Sequence, residues 1–251
     1  MRPIGPTICP VKISVIVPAF NEEKLLAESL RTMTAAMASF HKLGWETELI
    51  VCNNNSTDRT AEIAAKAGAK VVFEPVNQIG RARNCGAAAA TGDWFVFVDA
   101  DSQPSPGLFA DVAAVIEKKK VIGGGSTVRL DGFHPFMNFG GMLWNQLSRI
   151  KKWAAGSFIY CEASAFREIG GFSNHLFVAE ELDLSERLKA LAKKRGLKMK
   201  ILSQHPLITS ARKVKLYSAR EWLGFFFRAA LSPRKTQRDP ALCGQWYDGR
   251  R

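Results

Sequence analysis

Two groups of acidic residues stand where chemistry could occur. In "VDADS", Asp99 and Asp101 follow the five apolar residues Trp94 to Val98, with only Ala100 between them. Carboxylates at the mouth of a strand repel each other unless something positive lies beside them. A hard divalent cation, Mg2+ or Mn2+, meets that need, because such ions bridge one or two protein carboxylates to substrate phosphates. A D-x-D alone is common by chance; its place at the end of an apolar strand gives it weight. In "AEELDLSERL", Glu180, Glu181 and Asp183 open an amphipathic segment. One of them could accept a proton as a general base. Acids in a helix's first turn also complement its dipole with no chemistry at all.

The elements that would hold these residues can be read from the pattern of apolar positions. Short β-branched runs alternate with longer segments whose apolar residues recur every three or four positions. "KISVIVP" (12–18), "ETELIVC" (46–52), "KVVFEP" (70–75) and "DWFVFVD" (93–99) read as strands. Residues 22–43, 56–68, 80–92 and 106–120 read as helices, the second opened by Ser56 and closed by Gly68. This alternation predicts an α/β fold with a Rossmann-like, mostly parallel sheet flanked by helices. Beyond residue 120, "VIGGGSTVRL" reads as a strand with a flexible start and 136–153 as helix or loop. "GSFIYCEASAF" reads as a strand, 170–172 as a turn, 179–196 as a helix, "KMKILS" as a strand and 218–235 as a last helix. One domain over 1–251 is expected, with a first half at 12–120, a smaller mixed half at 121–231 and a polar tail at 232–251. In open parallel sheets ligands bind beyond the carboxyl ends of the strands. "VPAFNEE", "CNNNSTD" and "VDADS" all fall there.

Composition narrows the partners. The net charge of +12 favours phosphorylated substrates, nucleic acid or an anionic membrane, without choosing among them. Cys9, Cys52, Cys85, Cys161 and Cys243 form no C-x-x-C, so neither a disulfide framework nor a zinc site is indicated. A reducing cytoplasm, or the inner face of its membrane, is the expected location. No apolar run reaches the roughly 18 residues of a spanning helix, and no signal-peptide core opens the chain. The first turn has no G-x-G-x-x-G, and G-x-x-x-x-G-K-[ST] is absent, so dinucleotide and P-loop binding are excluded. "EWLGFFFRAAL" (221–231), with Arg220, Arg228, Arg234 and Lys235 nearby, fits a helix packed on the domain. It also fits peripheral contact with a membrane interface.

Five stretches in order, "ISVIVPAFNEE", "NNNSTDRTAEIA", "GRARNCGAAAATGDWFVFVDAD", "GSFIYCEASAFREIGGF" and "AEELDLSERL", make the sequence resemble the family 2 glycosyltransferases over about residues 12–202. The resemblance implies the GT-A fold, with a mixed C-terminal half for the acceptor. It implies an enzyme that moves a sugar from a nucleotide-diphosphate sugar to a hydroxyl on a saccharide, a lipid-linked glycan or a small metabolite, with inversion. No nucleic-acid partner is implied. Pro18, Phe20 and Glu22 match the loop against the nucleotide, and Asn53 and Asn54 the contact with the base. Arg81 and Arg83 match the basic helix start near the nucleotide. Asp99 and Asp101 match the Mg2+ or Mn2+ motif, with Asp99 also near the ribose. Glu180–Glu181 match the acidic pair that supplies the base, and Glu181 is the residue expected to act. Asp183, Gly124 and Arg212 are carried as acceptor-side or supporting residues, Arg212 within reach of the diphosphate.

Two departures bear on that assignment. Asn53 stands where a carboxylate is usual; its amide can still accept from a base N–H and donate to a base carbonyl. Glu181 stands where Asp is usual and is one methylene longer. "IGGGS" (122–126) fits either close approach to the donor sugar or a simple bend. His205 fits a structural role better than that of a third metal ligand, and His175 could meet the acceptor. A nucleotidyltransferase would open with a Gly-rich phosphate loop, which "VPAFNEE" lacks. A non-catalytic basic protein would not need the acids, and a dehalogenase-like phosphatase would place its D-x-D after the first strand.

Overall fold

A computed structural model describes residues 10–132, 135–212 and 216–247, so Cys9 and the proline-rich start lie outside the described residues. Strands β1 (Lys12–Ala19), β2 (Glu46–Asn53), β3 (Lys70–Phe73) and β4 (Trp94–Val98) lie parallel in the order β3-β2-β1-β4. Helices α1 (Leu26–His41), α2 (Thr60–Lys66) and α3 (Ile79–Ala88) connect them. β1 and β4 are buried on both faces along most of their length, which is why both are mainly apolar. Ile13, Val15, Val17, Val96 and Val98 face α1 and α4 (Pro106–Glu117), while Ile16, Phe95 and Phe97 share a second core with Phe166 and Phe172.

The sheet continues past β4 with β5 (Ser102–Gln103), β6 (Val121–Leu130), β7 (Phe158–Glu162) and β8 (Lys198–Thr209), in the order β4-β7-β6-β8-β5. β7 runs antiparallel to both β4 and β6, so the sheet is mixed in this half. Helices α5 (Pro135–Lys151), α6 (Ala163–Glu168) and α7 (Glu180–Lys194) complete the layer order. One sheet therefore spans both halves of the chain.

Two expectations change here. The start of β6 is not flexible: a Cβ on Gly124 would lie 1.8 Å from the Lys200 carbonyl oxygen, and one on Gly123 would lie 2.6 Å from that of Tyr160. The glycines let three strands close up, across a register shift between Val121 and Gly123. Ser56 does not open α2, which begins at Thr60. Residues 232–247 of the polar tail are folded. They form the helix Pro233–Arg238, a 3-10 turn at Pro240–Leu242 and the short helix Gly244–Tyr247. The Tyr247 hydroxyl donates to the Phe177 carbonyl at 2.8 Å, and Cys243 and Gln245 are buried.

Candidate active site

"NNNSTDRT" shapes the loop after β1. The backbone N–H of Asn21 donates to Ser56 Oγ at 3.0 Å, and that of Glu22 to Thr60 Oγ1 at 2.8 Å. The N–H of Glu23 donates to Asp58, and Thr57 N–H returns to Asn21 Oδ1. Asn21 and Asn55 both adopt positive φ, a conformation asparagine tolerates better than most residues. The result fixes Pro18, Phe20 and Glu22 on the wall of an open cleft of about 480 Å³, which Asp99, Asp101 and Asn54 also line.

Arg83 lies behind Asp99, outside the lining of that cleft. Its guanidinium is almost wholly buried over the Phe172 ring, 5.2 Å from the centroid. Nη1 donates to Glu180 Oε1 at 2.7 Å; Nη2 donates to Asp99 Oδ1 at 2.9 Å and to the Gly156 carbonyl at 2.8 Å. One side chain thus ties the end of β4 to the first turn of α7. Burial works against its charge, but Asp99, Glu180 and Glu181 outweigh burial and hold the guanidinium firmly protonated.

Glu181 closes on the same point. A Cβ on Gly156 would lie 3.6 Å from both Arg83 Nη2 and the Glu181 carboxyl carbon, so the two side chains approach the same backbone position. The Glu181 side chain keeps some accessible surface, yet protein atoms enclose its carboxyl. That enclosure, then Glu180 and Asp99, push its pKa up to about 8, against the pull of Arg83. The turn that aims it starts at Ala179, whose φ of 64° places a non-glycine residue in the left-handed region. Such strain persists only where the surroundings impose it.

Asp101 sits in a different electrostatic setting. The turn at 99–102 closes through Ser102 N–H to the Asp99 carbonyl, and Ser210 N–H donates to the Asp101 carbonyl at 3.2 Å. This brings Arg212 alongside: Nη2 donates to Glu22 Oε1 at 2.7 Å and lies 3.7 Å from Asp101 Oδ2. Among the described residues, Arg212 Nε and Nη1 are buried with no hydrogen-bond partner. Buried donors of that kind call for an acceptor, and the diphosphate of a ligand is one.

Among the described residues, Arg83 bonds Asp99 and Glu180, and Arg212 lies against Glu22 and Asp101. No group of three or more His, Cys, Asp or Glu that could hold a metal ion occurs among the described residues. Two carboxylates facing a cleft suit an ion that takes its remaining ligands from phosphate and water, the habit of Mg2+. On ligand chemistry, Asp99 and Asp101 fit a divalent cation that arrives with a diphosphate.

The other candidate residues do not join this site through their polar atoms. Arg81 reaches Glu74 at 3.4 Å and is part-exposed. Asp183 pairs with Arg187, which also donates to the Ile169 carbonyl. Gly124 belongs to the strand contact described above, not to a substrate wall. His205 Nδ1 lies 3.0 Å from Asp111 Oδ2. Asn54 lines the cleft, but its amide is committed: Nδ2 donates to the carbonyls of Glu74 and Val76, and Oδ1 accepts from Gln78 N–H. Asn53 Oδ1 accepts from Ser56 N–H at 2.9 Å. His175 lies with Asn174, Phe177 and Arg238 along a separate, shallow hollow. Sequence reading missed Asn77, Ile79 and Trp246 on the cleft wall, and Gly156 behind Arg83. Trp246 carries no local signal, since it reaches the cleft only because 232–247 folds back.

The fold and this charged cleft define a nucleotide-sugar transferase type of architecture, and the comparisons with known proteins agree. The description "Glycosyl transferase family 2" matches residues 14–173, and the chain belongs to that family. An uncharacterized glycosyltransferase of Mycobacterium tuberculosis is 36% identical over 106 residues, covering 42% of this chain and 44% of the relative. The match thus spans less than half of that relative's length. Among solved structures, Staphylococcus aureus TarS residues 1–349 in complex with UDP-GlcNAc superposes with a TM-score of 0.63. It is 21% identical and covers 93% of this chain and 69% of TarS 1–349. Mycobacterium tuberculosis glucosyl-3-phosphoglycerate synthase, solved with Mg2+ and UDP, gives 0.60 at 21% identity, covering 91% and 81%. At these identities the structures establish the shared GT-A fold.

Proposed function

We propose that this protein transfers a sugar from a nucleotide-diphosphate sugar to a hydroxyl acceptor, with inversion at the anomeric carbon and Glu181 as the base. The observation that carries the reading is Arg83, a buried guanidinium joining the D-x-D turn to the acidic start of α7. It ties Asp99 to the first turn of α7, where the candidate base Glu181 stands. The nucleotide would lie along Pro18, Phe20 and Ile79, with Asp99 near the ribose. Because the Asn54 amide is spent on backbone, base recognition falls to Asn53, Asn77 and backbone groups, and the donor base is left loosely specified.

Asp99 and Asp101 would hold Mg2+ or Mn2+. When bound, such an ion supplies charge neutralisation to the departing diphosphate. Arg212, with buried donors to spare, would move from Glu22 and Asp101 towards that diphosphate and stabilise its developing charge. Glu181 would take the acceptor's proton as the hydroxyl attacks. The acceptor is a saccharide, a lipid-linked glycan or a small metabolite, and one domain carries both the donor and the acceptor halves. Nucleotidyl transfer is the weaker reading, since the first loop offers Pro18, Phe20 and Glu22 to the cleft rather than glycine amides.

A screen of UDP-, GDP- and dTDP-sugars for release of nucleoside diphosphate, with Mn2+ or Mg2+, tests the activity. Release from one nucleotide class, increased by acceptor, is expected. Release from none, with Asp101→Ala indistinguishable from wild type, would remove the proposal.

A further inference from the structure

The helix Ala219–Leu231 carries two apolar faces. It starts at a capping box formed by Ser218 and Glu221. One face packs on the protein: Phe225 is buried, and Trp222 meets the rings of Tyr217, Phe225 and Trp246 edge-on at 6.0–6.4 Å. The other face is open, with Leu223, Phe227 and Leu231 at 67%, 66% and 68% exposed. At helical pitch, Arg220, Leu223, Phe227 and Leu231 fall on one stripe, turned away from Trp222 and Phe225.

The charges around the stripe are nearly all of one sign. Arg220, Arg228, Arg234, Lys235 and Arg238 are exposed in this stretch. Between 220 and 238 the sole acid is Glu221, which is spent on the cap. α5 repeats the combination: Met142, Leu143 and Ile150 are exposed beside Arg149, Lys151 and Lys152, and no acid occurs between Asp131 and Glu162. No helix among the described residues is long and apolar enough to cross a membrane.

We propose that the helix Ala219–Leu231 seats this protein on an anionic lipid surface, its Leu223–Phe227–Leu231 stripe in the bilayer interface and its arginines on the headgroups. A second copy or a protein groove would cover the stripe but leave the flanking cations unanswered; an anionic bilayer uses both. Arginine suits the rim, since its stem lies along apolar surface while its head stays with phosphate. The seating also has a consequence that rests on the glycosyl-transfer reading. Trp246 lines the donor cleft and packs on Trp222, so the bilayer would lie one aromatic layer from the cleft. The acceptor is then the lipid-linked one.

Cosedimentation with phosphatidylcholine vesicles, with and without phosphatidylglycerol, tests the seating. Wild-type protein is expected to pellet with the anionic vesicles alone and to be released by salt. The variant Leu223→Ser/Phe227→Ser/Leu231→Ser changes exposed positions only, so its thermal melt should match wild type while its vesicle partition falls at least about tenfold. Wild-type protein that stays in the supernatant, or a variant that pellets equally, would overturn the proposal. So would a dimer in sedimentation velocity that the variant dissolves without any vesicle binding. Donor hydrolysis in the variant should equal wild type, which separates failure of the seating from failure of the transfer reading.

Discussion

Replacing Glu181 with glutamine should lower sugar transfer by about 10²–10⁴-fold while leaving donor binding nearly unchanged. Glutamine keeps the shape of the side chain but cannot take a proton. The pH dependence separates a base from a structural acid. With its pKa pushed up to about 8 by enclosure and by Glu180 and Asp99, Glu181 is largely protonated in the free enzyme at neutral pH. Activity should therefore climb towards pH 8 in wild type, and that limb should be missing in the Gln variant. Stability should move the other way. The folded state holds this proton more tightly than the unfolded chain, whose glutamate titrates near 4.5, so the contribution is full below 4.5 and is lost as pH rises through about 8. Equal losses in turnover and donor affinity, with no change in pH profile, would assign Glu181 to structure.

The second large effect is expected at Arg83. Removing one partner from a buried charge pair strands the others, typically at a cost of about 3–5 kcal/mol. Arg83→Met would leave Glu180 without its cation in the core and Asp99 without its anchor. In a protein of this size that corresponds to a fall in Tm of roughly 6–20 °C. Arg83→Lys should recover only part of it, because an ammonium cannot serve Glu180, Asp99 and the Gly156 carbonyl in one planar fork. A lysine variant as stable as wild type would show that the bridging geometry is unimportant. If the lysine variant folds, donor affinity should still drop, since Asp99 would be free to turn.

Much of this architecture is legible in the chain because burial on both faces leaves a continuous apolar run. Val15–Val17 and Phe95–Val98 announce central strands in that way. The half beyond residue 120 is less legible. β7 enters antiparallel between β4 and β6, and nothing in "FIYCE" distinguishes that placement from a parallel one. The triple glycine reads as looseness, whereas Lys200 and Tyr160 press against it from distant parts of the sequence.

The site shows the same division. Asp99, Asp101 and Glu181 stand out by their positions at a strand end and a helix start. The separation of Arg83 from Arg81 has a local signal: two residues apart on a helix, they point to nearly opposite sides, so one alone could face the sheet. The commitment of Asn54 has no such signal, because its partners are carbonyls at 74 and 76, brought back by β3. Arg212 can be expected near a diphosphate from sequence, yet its resting partners Glu22 and Asp101 depend on β5 pairing with β8.

Asp99 and Asp101 are central to the proposed activity because they would bind the donor diphosphate through a divalent cation. Isothermal titration of UDP and GDP into the protein, with Mn2+ and then with chelator, tests this most directly. One nucleotide should bind at one site with Mn2+ and at least about tenfold more weakly without it, and Asp101→Asn should erase that difference. Equal affinity with and without metal, unchanged in Asp101→Asn, would contradict the account.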